Sequence, residues 1–250
     1  MADTADTEGT EGTKDTEDTE DTEGTGSAEG TVNTESAGST GNVGRADGTG
    51  ATDGTRLGKE AARRLAALPG CEITAGLSEA ELTRIEHTYG FVFAADHRAF
   101  LAEGLPVASP PKRGAAWEQP WPDWRHGDPE DLRYRLEWPV REVLREVELG
   151  GWHQRALGAR PRGTRAAVDM AQRKLAQAPA MVPVYGHRFL PAGGGSYGHP
   201  VLSMWGTAIR CHSDHLVDYV EREFAGLDDG GPWDQETTVA VWSDFVSWRP

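Results

Sequence analysis

The sequence predicts an α+β fold. Three observations carry this. Apolar residues recur at helical spacing between Leu57 and Leu175. From Met181 to Ser213 they instead form short runs separated by Gly, Pro and Ser. The two signals follow one another rather than alternating as βαβ units would.

The chain opens on a segment unlike the rest. In "MADTADTEGTEGTKDTEDTEDTEGTG", Thr recurs at every third position from Thr4 to Thr25. Residues 1–56 carry 14 acidic and 3 basic side chains, whereas residues 57–250 carry 26 and 22. A segment with few apolar groups and mutually repelling carboxylates cannot offset the entropy of ordering. Residues 1–55 therefore read as a disordered acidic tail, either simply solvating or phosphorylated on Thr. Collagen shares the period of three but needs Gly in every triplet, which is absent here. Residues 56–250 read as one domain.

Within that domain, order is expected from about Arg56. In "RLGKEAARRLAALPG", Leu57, Ala61, Leu65 and Leu68 share a helical face, and Pro69-Gly70 ends it. "LSEAELTRIEHTYG" predicts a second helix, with Ser78 and Glu81 as a capping box, Leu82, Ile85 and Tyr89 as its stripe and Gly90 as its stop. "AADHRAFLAEGLP" gives a short helix with Phe100 and Leu101 inward. Prolines 110, 111, 120 and 122 make the next stretch a loop, around which Trp117, Trp121, Trp124 and Trp138 gather. "DPEDLRYRLEWP" restarts a helix capped by Asp128, with Pro129 at its first position. "GTRAAVDMAQRKLAQAP" predicts another, capped by Thr164.

"MVPVYGHRFLPA", "HPVLSMW" and "TAIRCHS" read as strands in consecutive hairpins. "RCHSDHLVDYVEREF" poses a choice. Cys211, His212, Asp214 and His215 stand close enough to suggest a metal site, completed by His187 or His199. On a strand, however, Cys211 and His212 point to opposite faces. Leu216, Val217, Val220 and Phe224 fit a helical stripe, and Ser213 fits its N-cap. The capped helix is the reading adopted, so no metal and no cofactor are expected.

"GGGSYG" spells G-x-G-x-x-G at Gly193, Gly195 and Gly198, but a strand follows where a dinucleotide site needs a helix, so a hairpin loop is expected. No Walker motif and no G-x-S-x-G elbow occurs. Glu79 and Glu81 read as solvated carboxylates. The chain reads as non-enzymatic. The acidity belongs mainly to the tail, and nothing forms the basic stripe a nucleic-acid binder needs, so nucleic acid is not expected as a ligand. The start of the chain lacks a signal-peptide pattern and no stretch of about 18 apolar residues exists, so a cytoplasmic protein away from membranes is expected.

Several tracts, in order, resemble the SMI1/KNR4 family of the SUKH superfamily: "GLSEAELTRIEHTYGFVFAADHRAFLAEGLPV", "WPDWR", "VPVYGHRFLPA", "HPVLSMW" and "DHLVDYVEREF". The resemblance covers roughly residues 75–248. "VPVYGHRFLPA", followed by a Gly-rich loop and "PVLS", is its most specific part. It implies one mostly antiparallel, curved sheet surrounded by helices. It also implies a protein partner, many bacterial members being immunity proteins that neutralise a toxin, often a nuclease, while fungal relatives are regulatory scaffolds. The chain departs from the family pattern at "CHSDH" and in an extended loop at 110–121. Rings with polar handles beside Gly- and Pro-rich loops give rigid contact area, so Trp121, Trp124, Tyr185, Arg188 and Tyr197 are the expected partner-binding residues. The competing function is a metal-dependent hydrolase using His187, His199, His212 and His215.

Overall fold

The computed structural model describes residues 48–109, 119–226 and 239–246. The tail at 1–47, Trp117 and most of the proline loop lie outside the described residues. The architecture is α+β, with two separate antiparallel sheets rather than the single sheet expected.

Helix α1 (Gly48–Ala67) begins eight residues before Arg56, inside the segment read as tail. Strand β1 (Glu72–Ala75) follows, then α2 (Glu79–Tyr89) and α3 (Ala95–Glu103). The chain leaves α3 directly into β2 (Gly104–Ala108), which pairs antiparallel with β1. Sequence reasoning missed this small sheet. Helix α4 (Pro129–Glu148) passes through Pro139 and runs well beyond the expected stop. After it come the single turn α5 (Gln154–Leu157), also unforeseen, and α6 (Thr164–Leu175). Strands β3 (Met181–Tyr185), β4 (Arg188–Pro191), β5 (Val201–Trp205) and β6 (Ala208–Ser213) form a four-stranded meander in that order. Helix α7 (Leu216–Phe224) follows, and a 3₁₀ turn, Trp242–Asp244, lies near the end of the described chain.

The local signals are met where they depend on neighbours in sequence. Ser78 Oγ accepts the Glu81 N–H at 3.3 Å while the Glu81 carboxylate accepts the Ser78 N–H at 2.7 Å. Gly90 ends α2 at φ 72°, a left-handed conformation that favours Gly. Asp128 accepts from Glu130 and Asp131 at 2.8 and 3.0 Å, ahead of Pro129. Thr164 is the first residue inside α6 rather than its cap; Gly163 occupies that place without a side-chain bond. Glu79 stays exposed on the helix surface, as expected, while Glu81 is partly buried. Arg98 takes Glu79, and Arg125 takes Glu81, holding its carboxyl down at about 2.

The four-stranded sheet is apolar on both faces. Val182, Leu190 and Val201 join a core with Leu65, Leu82, Ile85, Phe100 and Leu216. Met181, Phe189, Leu202, Met204 and Ile209 join another with Val143, Val147, Ala167, Ala171 and Trp242. Helices α1, α2, α3 and α7 thus serve one face, and α4, α5 and α6 mainly the other. Both edges are blunted. Pro183 sits in β3, which needs no ladder donor there, and Val246 bridges to Ile209 of β6.

On the first face, α1 crosses α3 at very close range. A Cβ on Gly54 would stand 2.8 Å from Ala95 Cβ and 2.9 Å from Tyr197 Cβ. A Cβ on Gly58 would collide with the Asp96 carbonyl oxygen and approach the Phe100 nitrogen to 2.8 Å. Gly58→Ala is therefore expected to destabilise by about 1–3 kcal/mol, although Ala is the better helix former by about 1 kcal/mol. A denaturant melt showing a gain would mean that α1 and α3 do not meet here.

Asp96 and His97 are buried at this crossing. Asp96 accepts the Gly198 N–H at 2.9 Å, and burial pushes its carboxyl up. His97 lies against Phe93, ring centroids 5.1 Å apart, and burial holds its imidazole at about 3. The unfolded chain takes up that proton near pH 6.5, the native chain only near pH 3. Stability from His97 is thus present at neutral pH and lost on acidification through that window. Asp96, raised in the native state, has the opposite slope. Between about pH 7 and pH 4.5 the His97 contribution is on the order of 2–3 kcal/mol. His97→Gln should remove that loss from denaturant midpoints measured across the range; an unchanged slope would place the sensitivity elsewhere.

Candidate functional site

The sheet face beneath α7 turns polar toward one end. Arg188, Ser203 and Arg210 lie in direct register across β4, β5 and β6. Arg188 Nη1 donates to Ser203 Oγ at 2.9 Å. Val201 pairs with Ser213 and Leu202 with Cys211, so His212 is the extra residue of a β-bulge. Glu223 of α7 meets this strip: one carboxylate oxygen lies 2.8 Å from His212 Nε2 and 3.4 Å from Arg188 Nε. Tyr219, one turn earlier, is fully buried with its ring 5.7 Å from that of His212, and its hydroxyl has no hydrogen-bond partner. Burial drives that phenol far above its ordinary range. The Tyr185 hydroxyl lies 3.2 Å from Ser109 Oγ, and burial raises it too. His187 beside them is held at about 4 by burial and by the Arg188 charge.

A histidine against a carboxylate can relay a proton, but an activated nucleophile is needed to use it. Cys211 does not serve. Burial pushes its thiol up to about 11, and its register with Leu202 directs it to the opposite sheet face. What the cluster does is tie α7 to β4 and β6 through charged contacts that apolar packing alone would not register.

The five residues expected at a partner surface are divided by the structure. Trp121, Tyr185 and Arg188 do come together: the Trp121 ring stacks on Phe224 at 5.3 Å and meets Tyr185 at 4.8 Å, while Arg188 shares the Glu223 cluster. Trp124 lies apart, among Tyr89, Phe91 and Phe93. Tyr197 is half-buried in the Gly-rich loop against α1. Trp121 and Trp124 are each 2% exposed and Tyr185 6%. They are core anchors rather than exposed contact residues, because neighbouring rings pack over them: Phe224 on Trp121 and Tyr185, and Tyr89, Phe91 and Phe93 on Trp124.

The exposed rings are elsewhere. Trp205, at the end of β5, is 51% exposed and Tyr134 on α4 is 37% exposed. Tyr134, Trp138, Trp205 and His187 form a continuous ridge, with successive ring centroids 5.5, 5.9 and 5.9 Å apart. The Arg141 guanidinium lies over Tyr134 at 4.9 Å. The sequence held one signal for this ridge. Trp205 is followed at once by the tight turn Gly206-Thr207, and a strand-end ring beside a turn has little chain to cover it.

The histidines do different work. His215, not Ser213, caps α7: its Nδ1 accepts the Asp218 N–H at 3.1 Å, while Asp218 accepts the Asp214 N–H at 2.9 Å. Ser213 is instead the last, buried residue of β6, and its hydroxyl has no partner. His199 is buried, which lowers its pKa. Among the described residues, no three His, Cys, Asp or Glu side chains converge in a metal-holding group. The "GGGSYG" stretch is the β4–β5 connection, pinned to the start of α3 by Ala95 N–H to Ser196 O at 2.7 Å and by Asp96. Among the described residues no helix is long and apolar enough to cross a membrane.

Set against protein-family models, curated proteins and solved structures, the chain has no match.

The cap assignment has a direct test. His215→Ala is expected to cost about 1 kcal/mol of stability, as loss of an N-cap does. Ser213→Ala should be neutral or stabilising, because it removes a buried hydroxyl that bonds to nothing. Reversed effects in thermal or denaturant melts would return the cap to Ser213. Trp121→Ala, which empties a buried ring site, should cost roughly 3–5 kcal/mol.

Proposed function

We propose that the chain is a non-enzymatic protein-binding domain, acting as an immunity protein against a cognate toxin or as a related regulatory scaffold. The carrying observation is the ridge of Tyr134, Trp138, Trp205 and His187, in which Trp205 and Tyr134 are exposed. Trp and Tyr dominate interface hot spots, and a monomer gains nothing by leaving a tryptophan half in water. The ridge is rigid on both sides: Trp205 ends a paired strand, and Tyr134 and Trp138 stand one turn apart on α4. Little entropy would be lost on contact. The tracts resembling SMI1/KNR4 proteins support the same reading, as does an antiparallel sheet enclosed by helices. The partner surface is moved by this proposal from Trp121 and Trp124 to Trp205 and its neighbours.

The test starts from the neighbouring genes, where this reading expects a large secreted protein. Its terminal toxin region, co-expressed with this chain, should lose toxicity and form a complex. Trp205→Ala should leave the melting midpoint almost unchanged while weakening that complex by 2 kcal/mol or more, about thirtyfold. Undiminished affinity in Trp205→Ala would remove the ridge from the interface, and unrelieved toxicity would defeat the immunity reading.

A further inference from the structure

We infer that the α5–α6 surface docks an acidic protein segment, an inference that rests on the protein-binding reading above and specifies the chemistry of the partner. Residues 150–178 hold Arg155, Arg160, Arg162, Arg165, Arg173 and Lys174 against a single carboxylate, Asp169. The remainder of 57–250 holds 25 acidic and 16 basic side chains, so this is a positive island in a negative domain.

The island differs from most other cationic groups of the protein, although Arg84, Arg133 and Arg210, scattered elsewhere, also lack a carboxylate partner among the described residues. Arg64, Arg98, Arg125, Arg135, Arg188 and Arg222 each meet a carboxylate. Among the described residues, none of the six island cations does, and Asp169 closes on neither Arg165 nor Arg173 although it stands four residues from each. The five arginines are exposed. Helix α6 buries Ala167, Ala171 and Leu175, which turns Arg165 and Arg173 outward. The loop between the helices is held rather than loose. Trp152 Nε1 donates to the Gly158 carbonyl at 2.9 Å, and the Arg160 guanidinium lies over the Trp152 ring at 5.7 Å while bonding the Gly150 carbonyl. Gly158 and Gly163 take φ of 77° and 84°, bending the loop at both ends. Positive charge is thus displayed on a fixed frame and is available to an outside anion.

Charge extent selects the anion. A nucleic-acid strand runs on past the island, bringing phosphates within about 10 Å of the surrounding negative surface. A short Asp/Glu-bearing segment can end where the island ends. A strand would also need free ring faces for its bases, and Trp152 already has Arg160 over one face. Exposed ion pairs are individually weak, so the island works chiefly by speeding encounter and rejecting basic surfaces.

The test is a titration of the full chain into a fluorescein-labelled twelve-residue polyglutamate peptide, followed by anisotropy at about 50 and 300 mM salt. A labelled twelve-nucleotide DNA strand is run in parallel. The peptide should bind at low salt and be released at high salt. Arg160→Glu/Arg162→Glu/Arg165→Glu should weaken it at least about tenfold. The control Arg63→Glu/Arg84→Glu/Arg133→Glu, with the same change in net charge, should change it less than about twofold. Where the reversal disturbs folding, the milder Arg162→Gln/Arg165→Gln pair should still lower affinity at an unchanged melting midpoint. Equal losses in island and control variants, no peptide binding at low salt, or tighter binding of the DNA would each overturn the inference. No cognate partner is present in this titration, so its failure removes the acidic-segment assignment and leaves the protein-binding reading to the Trp205 experiment.

Discussion

The four-stranded sheet has no face it can show to water. Phe189 and Leu190, adjacent on β4, enter different cores, as do Val201 and Leu202 on β5. A sheet built this way must be covered twice, and the order of the chain follows from that requirement. The helices that precede the sheet are split between its faces. Helix α7, which comes after it, is needed to finish the first cover. The edges are short, and β6 carries the bridge from Val246 beside its exposed Arg210.

Covering the first face brings its own difficulty. A polar row, Arg188, Ser203 and Arg210, crosses that face where α7 must lie. The bulge at His212 and the reach of Glu223 solve it together. The extra residue in β6 aims an imidazole at the carboxylate, and Glu223 is shared between His212 and Arg188. Burying such a group without partners would cost far more than the contacts return. With the Trp121, Tyr185 and Phe224 rings stacked beside it, the cluster sets the register of α7 against the strands. Three of the residues that looked most like a binding site in the sequence, Trp121, Tyr185 and Arg188, therefore hold the last helix in place.

What was legible in the sequence depended on range. The Ser78–Glu81 box, the Asp128–Pro129 start and the Gly90 stop are local arrangements, and each is found as written. Strands β1 and β2 were not legible, because four or five residues that pair across about thirty others leave no periodic trace, and Pro106 supplies no ladder donor. The start of α1 was concealed by its own chemistry. "GTGATDGTRLGK" is poor helix-forming sequence, yet Gly54 and Gly58 are what let α1 approach α3, so packing overrides propensity there. Pro139 is a similar case: it removes one backbone donor from α4, but it is buried and the helix continues through it. The α7 cap was missed by two residues because the bulge shifts the strand end, and a bulge has no sequence signature of its own.

The same logic separates the two kinds of tryptophan. A ring flanked by prolines reads as exposed because prolines mark loops, but a long loop needs anchors, and Trp121 and Trp124 supply them. A ring at the end of an edge-proximal strand reads as core because strands are apolar, but Trp205 meets α4 only along the Trp138 edge and stays half exposed. Exposure therefore followed position relative to the covering helices rather than loop or strand character. Charge is uneven in the same manner: within the nearly balanced 57–250, residues 150–178 hold six cations against one carboxylate. Where a surface role exists in this fold, it belongs to the positions that the double covering of the sheet leaves over.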